Sequence, residues 1–275
     1  MMTRESIIRE LNKRGFNACA VTNEKNGVAF EGILMKTGRS ISPVIYTERM
    51  IEKANETGEC KETVVDMIVQ LFEKSRNVEF SVEKLMDKEF VLSHVFVAVQ
   101  KAGKQELVKK NSVLEGIEAY LYIRDEIGDC ENGSIKLTVE MLEMAGISVE
   151  EAWDRAMENL HRETEIDNLT AMLCGMVGEE FGLDMETSVP LYILTNRVRC
   201  MGASAILDRV ALQEFAKRHH TKKIVVFPSS VHEMILLPDA ELFELDVMSQ
   251  MVADINASEV SPEERLTDRA YILEF

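Results

Sequence analysis

Residues 16–34, FNACAVTNEKNGVAFEGIL, consist of two apolar runs joined by a polar stretch. The runs at 16–21 and 28–34 are typical of β-strands. Asn26 and Gly27, which lie between them, form the dipeptide that most favours a two-residue hairpin turn, because both residues tolerate a positive φ. The sequence therefore predicts an antiparallel hairpin close to the N-terminus.

Outside this hairpin, segments with helical periodicity alternate with strand-like segments. Apolar residues recurring every three or four positions predict helices at 3–13, 61–75, 148–160, 202–219 and 242–255. Enrichment in β-branched and aromatic residues predicts strands at 90–99, 117–123, 189–195, 222–227, 231–237 and 270–275. Because strands occur both in a hairpin and next to helices, we expect an α+β fold with mixed or mostly antiparallel sheets, packed helices and two subdomains.

The strand at 189–195 and the strand at 222–227 are separated by the predicted helix at 202–219. A strand, a helix and a second strand in this order are typical of a right-handed parallel crossover. This is the one place in the chain where the sequence predicts parallel strands.

The net charge of −17 is concentrated in the C-terminal half of the chain. Residues 1–128 contain 19 Lys and Arg against 20 Asp and Glu, whereas residues 129–275 contain 12 against 28. A glycine-bearing acidic stretch at 128–133 favours a domain boundary there, between a near-neutral half at 1–128 and a strongly acidic half at 129–275. The acidic field disfavours nucleic acid as a partner and favours a basic protein. An acidic mimic of DNA is a weaker alternative.

Five cysteines, an odd number with no C-x-x-C pair, argue against a disulfide framework and against a four-thiolate zinc site. No run approaches the roughly 20 apolar residues that span a bilayer, and the charged N-terminus lacks the apolar core of a signal peptide. The expected location is the cytoplasm, with no membrane partner. The sequence leaves the oligomeric state open.

The stretch at 227–238 carries the densest group of reactive side chains in the chain, with Ser229, Ser230, His232 and Glu233 between two apolar runs. A serine hydrolase needs a serine beside a histidine that is oriented by an acid. In a regular strand Ser230 and His232 share a face with Cα atoms about 6.6–6.8 Å apart, and Glu233 points to the other face. The candidate catalytic set is Ser230, His232 and Glu233, with Ser229 as the alternative hydroxyl.

A candidate anion site lies between a predicted strand and a predicted helix, where Arg197, Arg199 and Ser204 supply two cations and a hydroxyl. The alternative is a loop whose arginines balance nearby acids. Glycine-rich phosphate loops and metal-binding motifs such as H-E-x-x-H do not occur in the sequence. We therefore expect no cofactor and no metal.

Several motifs together resemble an uncharacterised bacterial family, a domain of unknown function found in Firmicutes. The most specific of them is Pro-Ser-Ser-Val-His-Glu at 228–233. The likeness extends to the segments at 42–46, 191–196, 202–203 and 251–256. The resemblance implies a cytosolic bacterial protein and brings no activity, cofactor or catalytic residue with it.

Two functional hypotheses follow from the sequence. The leading one is a non-enzymatic interaction or regulatory protein whose acidic C-terminal half contacts an unknown partner. The alternative is a hydrolase-type enzyme that uses Ser229 or Ser230 with His232.

Overall fold

The computed structural model describes residues 1–38, 42–75, 81–127, 130–169, 171–172, 190–238 and 244–275. Within these residues the fold is α+β, as predicted, and its strands form three sheets. The α-helices are α1 (Arg4–Lys13), α2 (Glu48–Thr57), α3 (Lys61–Ser75), α4 (Lys88–His94), α5 (Val139–Met144), α6 (Val149–Glu163), α7 (Arg209–Arg218) and α8 (Leu245–Glu259), with 3-10 helices at Val82–Met86 and Gly202–Leu207. The strands are β1 (Ala18–Lys25), β2 (Val28–Met35), β3 (Val44–Tyr46), β4 (Val95–Lys101), β5 (Lys109–Asn111), β6 (Ile117–Ile127), β7 (Cys130–Lys136), β8 (Thr164–Asn168), β9 (Tyr192–Asn196), β10 (Lys223–Phe227), β11 (Met234–Leu237) and β12 (Tyr271–Glu274).

The chain forms two compact units. The first contains Met1–Leu85 and Asp125–Gly133, and the second contains Met86–Arg124 and Ser134–Phe275. The division into halves at 1–128 and 129–275, which the charge and the acidic stretch at 128–133 favour, stays a prediction.

The first unit contains the predicted hairpin. Strands β1 and β2 pair antiparallel with Lys25 opposite Val28, and the turn residues Asn26 and Gly27 have φ values of 50° and 80°. Strand β3 adds to the free edge of β2. Helix α1 begins at the cap residue Thr3, as the sequence predicts, and helices α1 and α3 bury their apolar faces in one core with β2.

The second unit contains the other two sheets, apart from the parts of β6 and β7 at 125–133, which belong to the first unit. One has the order β4-β6-β5, with β7 also pairing with β6, and the other has the order β12-β10-β11-β9-β8. Helix α6 packs on β4, where the buried Asn159 side chain donates a hydrogen bond of 2.9 Å to the Val95 carbonyl. Helix α8 packs on the other sheet through Met248 and Val252. Among the described residues, no helix has the length and apolarity needed to cross a membrane.

The predicted parallel crossover is present in a modified form. Strands β9 and β10 run in the same direction, but both pair antiparallel with β11, which lies between them. The sheet is therefore antiparallel throughout, and the connection from β9 to β10 passes over an inserted strand.

The strand predicted at 90–99 is wrong in its first half. Residues up to His94 belong to helix α4, because Asp87 caps the helix by accepting hydrogen bonds from the backbone N–H groups of Glu89 and Phe90. The strand begins only at Val95. His94 ends the helix, with its ring stacked on Phe90 at a centroid distance of 4.1 Å.

The single helix predicted at 202–219 is also wrong, because the segment breaks at Asp208. A 3-10 helix covers Gly202–Leu207, and the Asp208 side chain then caps α7 by accepting the N–H of Ala211 at 3.1 Å. Val210, one of the apolar residues in the predicted helix, is 54% exposed. Gly202, at the start of the 3-10 helix, lies close to Thr195 and Asn196 at the end of β9.

Candidate functional site

Cys200 lies in a tight turn between strand β9 and the 3-10 helix of the second unit. The residues on either side of it, Arg199 and Met201, have positive φ values of 52° and 54°. Such left-handed backbone costs roughly 1–2 kcal/mol per non-glycine residue. Strained backbone on both sides of a reactive side chain is typical of functional turns, where surrounding contacts must hold the conformation in place.

Asn196, the last residue of β9, supplies contacts that hold this turn. Its side-chain amide donates a hydrogen bond of 2.8 Å to the Cys200 carbonyl, and its side-chain oxygen accepts the Cys200 N–H at 3.2 Å. Asn196 is only 4% exposed, so both bonds are shielded from water. One buried side chain therefore fixes the backbone of Cys200 on both sides of its Cα atom.

Gly202 brings the turn against the segment that carries His232. A Cβ atom at this position would lie 2.6 Å from the Asn196 backbone nitrogen and 2.7 Å from the His232 carbonyl oxygen. The Thr195 hydroxyl, also next to Gly202, donates a hydrogen bond of 2.8 Å to that carbonyl. Only glycine permits this close approach of the two segments.

We expect Gly202→Ala to destabilise the protein by about 1–3 kcal/mol, because the added methyl group meets backbone atoms that cannot move aside. The substitution should also slow alkylation of Cys200 by iodoacetamide. Urea unfolding measures the first effect and mass spectrometry of the alkylated protein measures the second.

The matched control is Gly116→Ala in the same unit, where φ is +82° and no atom lies within 4 Å of the added methyl group. This variant should lose about 1 kcal/mol through backbone strain alone and keep the normal reactivity of Cys200. If both variants alkylate at the wild-type rate, the close packing at Gly202 does not position the thiol.

His232 lies in the loop before β11, and both of its ring nitrogens face protein groups. Nδ1 accepts the backbone N–H of Met201 at 3.2 Å, and Nε2 lies 3.6 Å from the nearest carboxylate oxygen of Glu264. Because Nδ1 accepts a hydrogen bond, the neutral ring carries its proton on Nε2, on the side of Glu264. The side chains of His232 and Glu264 are 35% and 42% exposed, so the group opens to solvent.

The backbone around Glu264 is tied to the loop of His232. The Val231 N–H donates to the Glu264 carbonyl at 2.9 Å, and the Glu264 N–H donates to the Ser261 carbonyl at 2.9 Å. These bonds hold the carboxylate close to the imidazole, although the 3.6 Å separation is too long for a direct hydrogen bond. Glu264 therefore acts on His232 mainly through its charge.

Cys200 and His232 change each other's ionisation. A hydrogen bond to the His232 imidazole lowers the pKa of the Cys200 thiol, and the charges of His232 and Arg124 lower it further against the opposing effect of partial burial. The same hydrogen bond raises the pKa of His232, and the negative charges of Cys200 and Glu264 add to the increase. Both shifts favour a thiolate next to an imidazolium.

Arg124 places a fixed positive charge near the thiol. Its guanidinium group lies 3.7 Å from the centre of the Phe96 ring and binds Glu163 through two hydrogen bonds, of 2.9 Å and 2.5 Å. The neighbouring Tyr122 is buried, and this burial raises its pKa to about 12, so its phenol stays protonated at neutral pH. The side of the site formed by β4 and β6 is thus aromatic and carries a paired arginine.

A comparison with protein families matches residues 3–274 to DUF5688, a family of unknown function. The chain belongs to the DUF5688 family. Searches of characterised proteins and of solved structures find no match to this DUF5688 chain.

The DUF5688 structure places the three residues predicted as a catalytic set in one loop. The Ser230 hydroxyl accepts the backbone N–H of His232 at 3.0 Å, and the Ser230 N–H donates to the Glu233 carbonyl at 3.1 Å. The ring nitrogens of His232 face Met201 and Glu264 instead. Ser230 thus stabilises the turn that presents His232, and Ser229 lines an apolar cavity of about 390 Å³ next to α8.

The predicted anion-binding residues all have protein partners. Arg197 and Arg199 lie 3.7 Å and 3.4 Å from acidic side chains of the neighbouring strand β8. The Ser204 hydroxyl is buried and donates to the Met201 carbonyl at 3.1 Å. Among the described residues, no three His, Cys, Asp or Glu side chains have a spacing suited to a metal ion.

Sequence reasoning did not select Cys200, Glu264 or Asn196. One signal was present, since a cysteine followed by the small residues at 202–204 stands between a predicted strand and a predicted helix. A strand, a nucleophile in a tight turn and a closely packed helix form an arrangement known from hydrolases. The sequence around Glu264 has no feature that marks it as a site residue, because Glu264 reaches His232 only through tertiary contacts.

Proposed function

We propose that this DUF5688 protein is an enzyme of acyl transfer in which Cys200 is the nucleophile and His232 is the general acid and base. The observation that carries the proposal is the strained turn of Cys200, whose next amide, that of Met201, donates to Nδ1 of His232 while Nε2 of the same ring faces Glu264. A nucleophile, a base and a group that orients the base are the three parts that such chemistry requires.

The first half of the reaction attaches the acyl group to the protein. The Cys200 thiol gives its proton to His232, and the thiolate attacks the carbonyl carbon of an ester, thioester or amide. The sulfur–carbon bond forms while the π electron pair of the carbonyl moves to its oxygen. When that pair returns, the bond to the leaving group breaks and the leaving group takes the proton from His232.

The second half releases the acyl group. Neutral His232 removes a proton from water or from an acceptor alcohol, amine or thiol, which attacks the Cys200 thioester. The thiolate then leaves, and the imidazolium remains beside it. In both halves the charge of Glu264 stabilises the imidazolium, and its 42% exposure means that salt weakens this contribution.

The experiment that tests the proposal is acylation by p-nitrophenyl acetate at neutral pH, followed by peptide mass spectrometry. We expect one acetyl group per chain on Cys200, released with time or transferred to an added thiol. The other four cysteines of the chain serve as internal comparisons. Equal acetylation of all accessible cysteines would show that Cys200 is not activated and would contradict the proposal.

We also propose that the protein acts in a reducing bacterial cytoplasm. The resemblance of its motifs to a bacterial family and its odd number of cysteines support this location. A reducing compartment would keep the Cys200 thiol available. The hypothesis of a non-enzymatic protein with a basic partner rests on the charge of −17 and stays a prediction.

A further inference from the structure

The backbone N–H of Met201 donates a hydrogen bond to Nδ1 of His232, the ring nitrogen that must receive the thiol proton. Nδ1 of His232 accepts this N–H at 3.2 Å, so its lone pair is engaged in the resting protein. Nε2 already carries the proton of the neutral ring. A proton leaving Cys200 for the imidazole can bind only at Nδ1, and its arrival turns Nδ1 from an acceptor into a donor.

Protonation of Nδ1 therefore breaks the hydrogen bond from Met201. The freed N–H belongs to the residue directly after the nucleophile. Two nearby amides already have partners, since the Cys200 N–H donates to the Asn196 side chain and the Ala203 N–H donates to the Val231 carbonyl at 3.3 Å. An unpaired donor close to a partly buried reaction centre is unfavourable until it finds a new acceptor.

We propose that the Met201 backbone N–H is the oxyanion donor of this site, held by His232 at rest and released when the Cys200 proton moves to Nδ1. This inference rests on the proposed function. As the thiolate attacks a carbonyl carbon, the electron pair of the C=O bond moves to oxygen, and the Met201 N–H donates to that oxygen. One proton transfer thereby creates the nucleophile and frees the group that stabilises its product.

Charged groups around Cys200 and His232 also favour the transfer of the thiol proton to the imidazole. Glu264 faces His232 from the segment before β12 and stabilises the imidazolium, and Arg124 acts on the thiolate from β6. Tyr120 and Tyr122 lie on the same side as Arg124, and burial raises the pKa of both phenols, so they remain neutral. The positive φ of Met201 sets the direction of its amide.

The test uses NMR of the full-length protein labelled with ¹⁵N at its 16 methionines. The Met201 amide signal is assigned by its loss in Met201→Leu. Trifluoroacetone is added to form a tetrahedral adduct in which Cys200 sulfur binds the ketone carbon and the ketone oxygen becomes an alkoxide. We expect the Met201 amide proton to shift downfield and to exchange with water more slowly, by about tenfold or more, as for a hydrogen bond to a charged acceptor.

The matched control is the protein methylated on Cys200 by iodomethane, which has a thioether and no oxygen on the attached group. In this adduct the Met201 amide should neither shift downfield nor gain protection. If the trifluoroacetone adduct forms on Cys200 and leaves the Met201 amide unchanged, the oxyanion assignment is wrong while the nucleophile stands. If no adduct forms on Cys200, both the nucleophile and the assignment fail.

Discussion

Cys200→Ala is expected to abolish the rapid release of p-nitrophenolate from p-nitrophenyl acetate and to lower steady-state turnover by at least about 10³-fold. The reason is that covalent catalysis through the thiolate is lost entirely, while the rest of the site keeps its shape. Stopped-flow absorbance measures the initial release, and steady-state kinetics measure the turnover. The thermal midpoint of unfolding should change little, because the thiol is only partly buried.

The control for Cys200→Ala is Cys60→Ala. Cys60 is exposed in the first unit and contacts the Thr63 hydroxyl at 3.0 Å, without an imidazole beside it. This variant should keep both the rapid release and the turnover. An equal loss in the two variants, or full activity in Cys200→Ala, would rule out Cys200 as the nucleophile.

His232→Asn is expected to move the alkylation of Cys200 to higher pH. The hydrogen bond and the charge of His232 lower the pKa of the thiol, so their removal returns the pKa toward its ordinary value of about 8.5. Below both pKa values, each unit of increase lowers the thiolate fraction about tenfold. A more basic thiolate is also more nucleophilic, so the net loss of rate is about threefold per unit.

The two pH profiles should therefore cross. The wild-type protein reacts faster with iodoacetamide at neutral pH, where the variant thiol is mostly protonated. Above the pKa of the variant, both thiols are ionised and the variant reacts faster, because its thiolate is the stronger base. Alkylation rates between pH 5 and 10, followed by mass spectrometry, measure both profiles. Superimposable profiles would show that His232 does not control the thiol.

The sequence predicted the elements whose signals are local. The hairpin is determined by Asn26 and Gly27, which adopt the positive φ values that its turn needs. The first helix begins at Thr3, and α6 begins after Ser148, whose side chain accepts the N–H of Glu151. The α+β class follows from such elements, because a short stretch of sequence is enough to predict a hairpin or an amphipathic helix.

Two secondary-structure predictions failed because an aspartate that caps a helix lies next to or within a longer apolar segment. Between 90 and 99 the β-branched residues favoured a strand, yet the cap at Asp87 starts a helix there. Between 202 and 219 the apolar period favoured one helix, but Asp208 ends one segment and caps the next. In both cases an aspartate that bonds backbone N–H groups outweighs the intrinsic propensity of its neighbours.

The candidate site was predicted only in part, because its geometry is tertiary. His232 was selected, and it is the central residue of the group. The hydroxyl of Ser230 was selected as its partner on the basis of closeness in sequence, whereas the thiol beside His232 comes from Cys200, which precedes it by a whole helix and strand. A distance along the chain cannot reveal which loops meet at the end of a sheet, so Cys200 and Glu264 required coordinates.

The order of Cys200, His232 and Glu264 along the chain affects when the thiol becomes reactive during synthesis. While a ribosome is making this protein, Cys200 emerges before His232, and Glu264 follows later still. Domains generally fold as units, so the turn, the imidazole and the carboxylate meet only after the strands on both sides of them have been made. Until then Cys200 has the pKa of an ordinary thiol. Under the proposed mechanism, the activation of Cys200 therefore waits until residues 232 and 264 have been made and the unit has folded.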